Sequence, residues 1–102
     1  MPPEIASFGS HMTFKHAQTN SGSAAGMTLS QKEVTYLVDV PLDDASKEVS
    51  AILVPHGYRV QPKMIVAGNT IAGFDNGTKH YSLEHNPASD PAGTCTLKIY
   101  SP

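Results

Sequence analysis

The chain has 102 residues, of which 39% are hydrophobic and 16% charged, with a net charge of −2. That length fits one domain with one modest core, and the content of Val, Ile and Leu is too high for wholesale disorder. The seven basic residues are scattered rather than clustered, which disfavours a phosphate-tracking surface and hence nucleic acid as a partner. The same scatter disfavours attachment to an anionic membrane. No apolar stretch approaches the roughly 18 residues of a membrane span.

Gly9-Ser10-His11-Met12 reads like the scar of tag cleavage followed by a cloning-site methionine. Residues 1–11 are accordingly expected to be vector-derived or a flexible arm, with 12–102 forming the domain. No basic region followed by an apolar core precedes Met12, so no export signal is expected.

Met12, Phe14 and His16 alternate with Thr13 and Lys15, which predicts a short first strand. Residues 18–26 are small and polar with no large apolar anchor, which predicts a flexible loop. Val34, Tyr36, Val38 and Val40 then fall at period two, and this β-branched run marks a strand even though Ser30 and Glu33 match a helix capping box.

Residues 44–53 permit two readings. Ala45, Val49, Ile52 and Leu53 fit helical spacing after Asp43-Asp44, whereas the apolar run Val49 to Val54 that ends at Pro55 suits a strand; the strand is preferred. Pro55-His56-Gly57 reads as a turn. Tyr58, Val60 and Met64 to Val66 supply further strand, with Pro62 implying an edge or a bulge.

Asn69 to Asp75 and Thr78 to Glu84 flank Asn76-Gly77, a dipeptide suited to a type I′ hairpin turn. Gly73 is read as a bulge site. After a loop from Asn86 to Gly93, Cys95, Leu97 and Ile99 alternate with Thr96 and Lys98 in a last strand. Cys95 is the only cysteine, so no intramolecular disulfide can form, and its place in an alternating strand predicts an inert buried thiol.

These elements predict an all-β fold. The expected form is one small antiparallel β-sandwich, jelly-roll-like, of six or seven strands, with a small barrel as the alternative, because a flat single sheet would leave an apolar face wet.

No nucleotide loop, nucleophile elbow or metal quartet is present, so neither enzyme activity nor a cofactor is expected. His80 and Glu84 share one face of their strand while His85 points the other way, a poor geometry for a metal. Asp39, Asp43, Asp44 and Glu48 lack the spacing and the glycine of a calcium loop. The functional expectation is a non-catalytic recognition module that engages a glycan or a protein through loops on a β scaffold, as a repeated copy within a homo-oligomer. Tyr58 and Tyr81, accompanied by His56, Arg59, Asn69 and His80, are the candidate binding residues, the two tyrosines as platforms for a sugar face.

The alternative is a virion, tail or appendage subunit that assembles into a symmetric homo-oligomer; a small hydrolase or metalloprotein comes third. The uncharged polar composition leans toward an extracellular or virion surface.

Overall fold

A computed structural model of the chain describes residues 2–24 and 27–102, and the side chains of residues 2–22 and 30–102. It is built mainly from antiparallel strands: β1 (Met12–Ala24), β2 (Met27–Val38), β3 (Arg59–Val60), β4 (Met64–Val66), β5 (Asn69–Asp75), β6 (His80–His85) and β7 (Cys95–Ser101). One 12-residue helix, α1 (Leu42–Leu53), separates β2 from β3, and a 3₁₀ helix spans Pro3–His11.

The strands form one open sheet in the order β1-β2-β7-β6-β5-β3, with β4 also paired to β5. This corrects the expected sandwich or barrel: no second sheet stacks on the first among the described residues. The second layer is helical instead. Phe74, Tyr81, Leu83, Cys95, Leu97 and Val38 lie on one face of the sheet and are fully buried. Ala45, Val49 and Leu53 of α1 and Ile5 and Phe8 of the 3₁₀ helix are equally inaccessible and belong to the same cluster.

Residues 44–53 are thus helix, not strand. The positions 45, 49 and 53 are four apart and make one apolar stripe on a helix, whereas a strand would have split Val49 and Leu53 from Ile52 and Val54. Asp43 and Asp44 occupy the first turn, where negative charge meets the positive end of the helix dipole. At the other end, Gly57 in the left-handed region (φ 87°) turns the chain back. His56 Nδ1–H donates to the Ile52 carbonyl at 2.9 Å.

The N-terminal segment belongs to the same layer. Residues 3–11 are ordered helix packed into the core, with Ile5 and Phe8 buried. His11 Nδ1–H donates to Asp39 Oδ1 at 2.8 Å, and its carbonyl accepts from the Asp39 N–H. The expected loop at 18–26 is strand as far as Ala24, registered against β2 from Gln18↔Glu33 to Ala24↔Met27; Ala25 and Gly26 lie outside the described residues. Because β7 pairs with β2 only over Lys32–Val38, the hairpin beyond Lys32 continues past the rest of the sheet as a two-stranded arm. Polar cross-strand pairs such as Thr19↔Lys32 and Asn20↔Gln31 let it stand in water.

Three turn and bulge details differ from the sequence reading. The β5–β6 connection is four residues long, since Asp75↔His80 is its last pair. Asp75 and Asn76 side chains accept the N–H groups of Gly77, Thr78 and Lys79 and close the loop as Asx turns; of the two central residues of the expected I′ turn, only Gly77 has positive φ. The two-residue turn is instead Ala67-Gly68, between Val66 and Asn69, with φ values of 51° and 82°.

Gly73 is not a bulge: it pairs in register with Ser82. Bulges occur at Lys15 in β1 and at Pro62-Lys63, where two residues stand opposite Ala72 between the pairs Gln61–Gly73 and Met64↔Ile71. Pro62 therefore marks both an edge and a bulge.

Two expected outcomes follow from this architecture. Ala67 carries the cost of a left-handed backbone for an L-residue, so Ala67→Gly should stabilise the protein by about 0.5 kcal/mol, with Ala67→Asn acting in the same direction; equilibrium denaturation measures it. Phe8→Ala should cost about 3 kcal/mol, the loss of a core phenylalanine, and an unchanged denaturation midpoint would show the segment to be dispensable.

Candidate functional site

The strongest perturbation of side-chain chemistry lies where the N-terminal helix meets the sheet. Tyr58 and Tyr81 stack edge to face, with centroids 5.3 Å apart and an interplanar angle of 77°. Both hydroxyls donate to one carboxylate oxygen, Glu4 Oε1, at 2.9 and 3.1 Å. Lys79 Nζ lies 3.6 Å from the same atom.

Burial pushes the Tyr58 hydroxyl up to about 12, with the Glu4 charge adding to the effect, and burial likewise raises Tyr81. Burial by itself would raise the Glu4 carboxyl, but the backbone bond, the two tyrosines and Lys79 outweigh it, and the net shift is downward. Every polar group in this cluster is satisfied by another, which makes it a structural clasp.

Tyr58 and Tyr81 are therefore buried, at 5% and 0% exposure, and their rings face the core rather than a sugar. The other residues expected at the site are dispersed. His56 caps α1, Asn69 closes the β4–β5 turn opposite Val66, and Arg59 pairs across from Asp75 on the sheet edge. His80 stands opposite Tyr100, with the rings 5.9 Å apart. His85 turns to the other face, its Nδ1–H donating to the Thr94 carbonyl, while Glu84 pairs with Lys98. Among the described residues no group of three or more His, Cys, Asp or Glu side chains is placed to hold a metal ion. Nor, among the described residues, is any helix long and apolar enough to cross a membrane. Burial lifts the Cys95 thiol to about 12, which keeps it protonated at neutral pH.

What the fold does present is an apolar sheet edge. Val60, Met64, Ile65 and Val66 are 53%, 54%, 77% and 49% exposed, all on the outermost strand segments β3 and β4. From the pairing register, Val60 and Ile65 share the helix-covered side of the sheet with Phe74 and Thr70, whereas Met64 and Val66 share the open side with Ile71 and Asn69. Apolar side chains on both sides of a strand are the pattern of an interior strand, yet among the described residues this one has a neighbour on one flank only.

A cleft of about 340 Å³ adjoins this edge on the open face, lined by Gln61, Pro62, Met64, Ile71, Gly73 and His80. Its floor depends on Gly73. A Cβ there would sit 2.4 Å from Gln61 Oε1 and 3.2 Å from His80 Cε1, so the absent side chain lets both polar heads converge over the strand.

A wider depression of about 520 Å³ at the base of the hairpin arm, between Asn20, Ser30, Gln31 and Thr78, is lined by no charged or aromatic side chain among the described residues. Of the residues expected from sequence, only His80 lines the edge cleft. Gln61, Met64, Ile65, Val66 and Ile71 were not anticipated as site residues. Their signal was an apolar triplet without alternation, set in a stretch, 49–74, that contains no carboxylate.

Comparison of the chain with protein-family models, with curated proteins and with solved structures finds no match, so the geometry alone carries the functional reading.

The clasp has a defined pH signature. A carboxyl whose folded pKa is lowered contributes stability that is complete above its ordinary value of 4.5 and is lost as pH falls through the lowered folded value. Wild-type stability should therefore drop on acidification below that range. Glu4→Gln should be less stable at neutral pH and should lose part of this acid dependence, as read from denaturant midpoints across pH; parallel curves for the two proteins would remove Glu4 as a cause.

Proposed function

We propose that this chain is a non-catalytic recognition module that engages another protein through the β3–β4 edge and the cleft beside it. The observation that carries this reading is the concentration of exposed Val60, Met64, Ile65 and Val66 on one sheet edge. Clustered apolar exposure on a small domain marks an interaction surface, whereas isolated apolar residues do not.

The cleft adds what an apolar ridge lacks. Gln61 offers both a donor and an acceptor, and His80 can donate or accept according to its tautomer, so a partner's backbone or polar side chain finds directional bonds beside apolar cover. Arg59 and Lys63 flank the ridge. A protein partner is favoured over a glycan because the two rings that would stack on sugar are in the core, and the exposed edge offers aliphatic side chains in their place. The alternative of a virion, tail or appendage subunit would use the same edge for self-assembly, and solution mass separates the two.

Ile65→Asp places a charge at the most exposed position of the ridge without touching the core. Binding partners recovered with the wild-type chain and then purified should lose about thirtyfold in affinity for the variant, the effect of a central interface residue. The denaturation midpoint should stay put. Equal affinity for the two proteins would reject the edge as the binding surface.

A further inference from the structure

Resting on the reading of the β3–β4 edge as a protein-binding surface, we infer that the partner enters as an extended segment that adds a strand to β4, and that this segment carries acidic residues. In a two-residue hairpin the residues flanking the turn exchange both backbone hydrogen bonds, and the pairs then alternate. Val66 and Asn69 flank Ala67-Gly68 and Met64 pairs with Ile71, so Ile65 between them directs its N–H and C=O away from β5, toward the free flank.

The same holds for Val60, since Gln61 N–H bonds to the Gly73 carbonyl at 2.9 Å and the bonded pairs alternate back along β3. Unpaired backbone groups at Ile65, bordered by apolar side chains on both sides of the sheet, match what an incoming strand supplies. Pro62 and the bulge limit the continuous docking length to β4 and its neighbours. A side chain of the added strand on the open side would lie over the cleft of Gln61, Met64 and His80.

Charge decides between a foreign segment and a second copy of this chain. The stretch 49–74 has Arg59 and Lys63 but no carboxylate, the nearest acid on the sheet being Asp75 across from Arg59 on the inner strand β5, and 5–32, which includes the opposite edge strand β1, has Lys15 and Lys32 but no carboxylate. Asp43 reaches Lys63 from α1 at 2.6 Å, but both side chains are about half or more exposed, so this pair is weak and screened. Either edge of a second copy would bring cations to cations, whereas an apolar strand bracketed by glutamates or aspartates would meet Arg59 and Lys63 with opposite charge.

The test uses three synthetic peptides and the full chain. One alternates valine and threonine between glutamate pairs, the second replaces the glutamates with lysines, and the third keeps the glutamates but is N-methylated on alternate residues to remove one row of backbone donors. Titration by heteronuclear NMR should place the shifts of the first peptide at Met64 to Val66, with slowed hydrogen exchange at the Ile65 amide. It should bind about tenfold more tightly than the lysine peptide, with the difference shrinking in salt, and N-methylation should abolish binding.

Equal binding by the N-methylated peptide, still lost in Ile65→Asp, would overturn strand addition while leaving the edge as a side-chain binding surface. Equal binding by the lysine peptide would overturn the acidic preference. A concentration-dependent dimer that buries the Ile65 amide would replace the foreign segment with a second copy. No binding by any peptide, together with unchanged behaviour of Ile65→Asp toward purified partners, would overturn the proposal and the reading beneath it.

Discussion

A single twisted sheet has two faces, and water cannot be left on an apolar one. Here one face carries Phe74, Tyr81, Leu83, Leu97, Cys95 and Val38 in adjacent register, and the remaining architecture follows from the need to cover it. The layer that does so is assembled from two pieces far apart in sequence, the helix Leu42–Leu53 and the 3₁₀ helix Pro3–His11. The Glu4 carboxylate, gripped by two tyrosine hydroxyls from β6 and the β3 approach, fastens the second piece to the sheet. The half-buried charge is tolerable because its hydrogen bonds and Lys79 replace the water it gives up.

The cover is not uniform, and the place where it thins is the place with binding character. The helix and the N-terminal segment sit over the central strands, while the outer strand segments β3 and β4 keep apolar side chains exposed on both sides. The two sheet edges differ sharply. β1 is long, polar apart from the exposed Phe14, and bulged at Lys15, features that discourage unwanted pairing. The β3–β4 edge is short and aliphatic, and only Pro62 and the bulge it creates interrupt it. The open face behind it is polar, with Thr35 and Ser82 flanking Lys98 in register and Lys98 paired to Glu84.

Much of the strand inventory was legible because period-two alternation records a one-sided strand directly. β2 and β7 were readable for this reason, and Cys95 could be recognised as a buried thiol from its place in the second. The helix was harder. Residues 44–53 satisfy both periods within error, and the decision came from the apolar face they had to cover, which local pattern does not contain. The turns illustrate the same limit: Asn76-Gly77 has the composition of a tight turn, yet the side chains of Asp75 and Asn76 cap a longer loop, while the left-handed pair fell on Ala67-Gly68, where alanine gives no such signal.

The candidate site was less legible than the fold. Tyr58 and Tyr81 attracted a binding role because they fall near turns, but a tyrosine's depth depends on what packs above it, and here that is a segment more than fifty residues away in sequence. The sequence by itself determined the strand segments of β5, β6, β7 and the second half of β2, the edge character of Pro62 and the acid-free stretch around Met64 to Val66, since these depend on neighbours along the chain. Tertiary structure alone decided that the second layer is helical, that residues 3–11 are core, that the tyrosines are hidden and that the aliphatic edge is left uncovered, because each of these depends on which distant surface reaches an apolar face first and which surface nothing reaches.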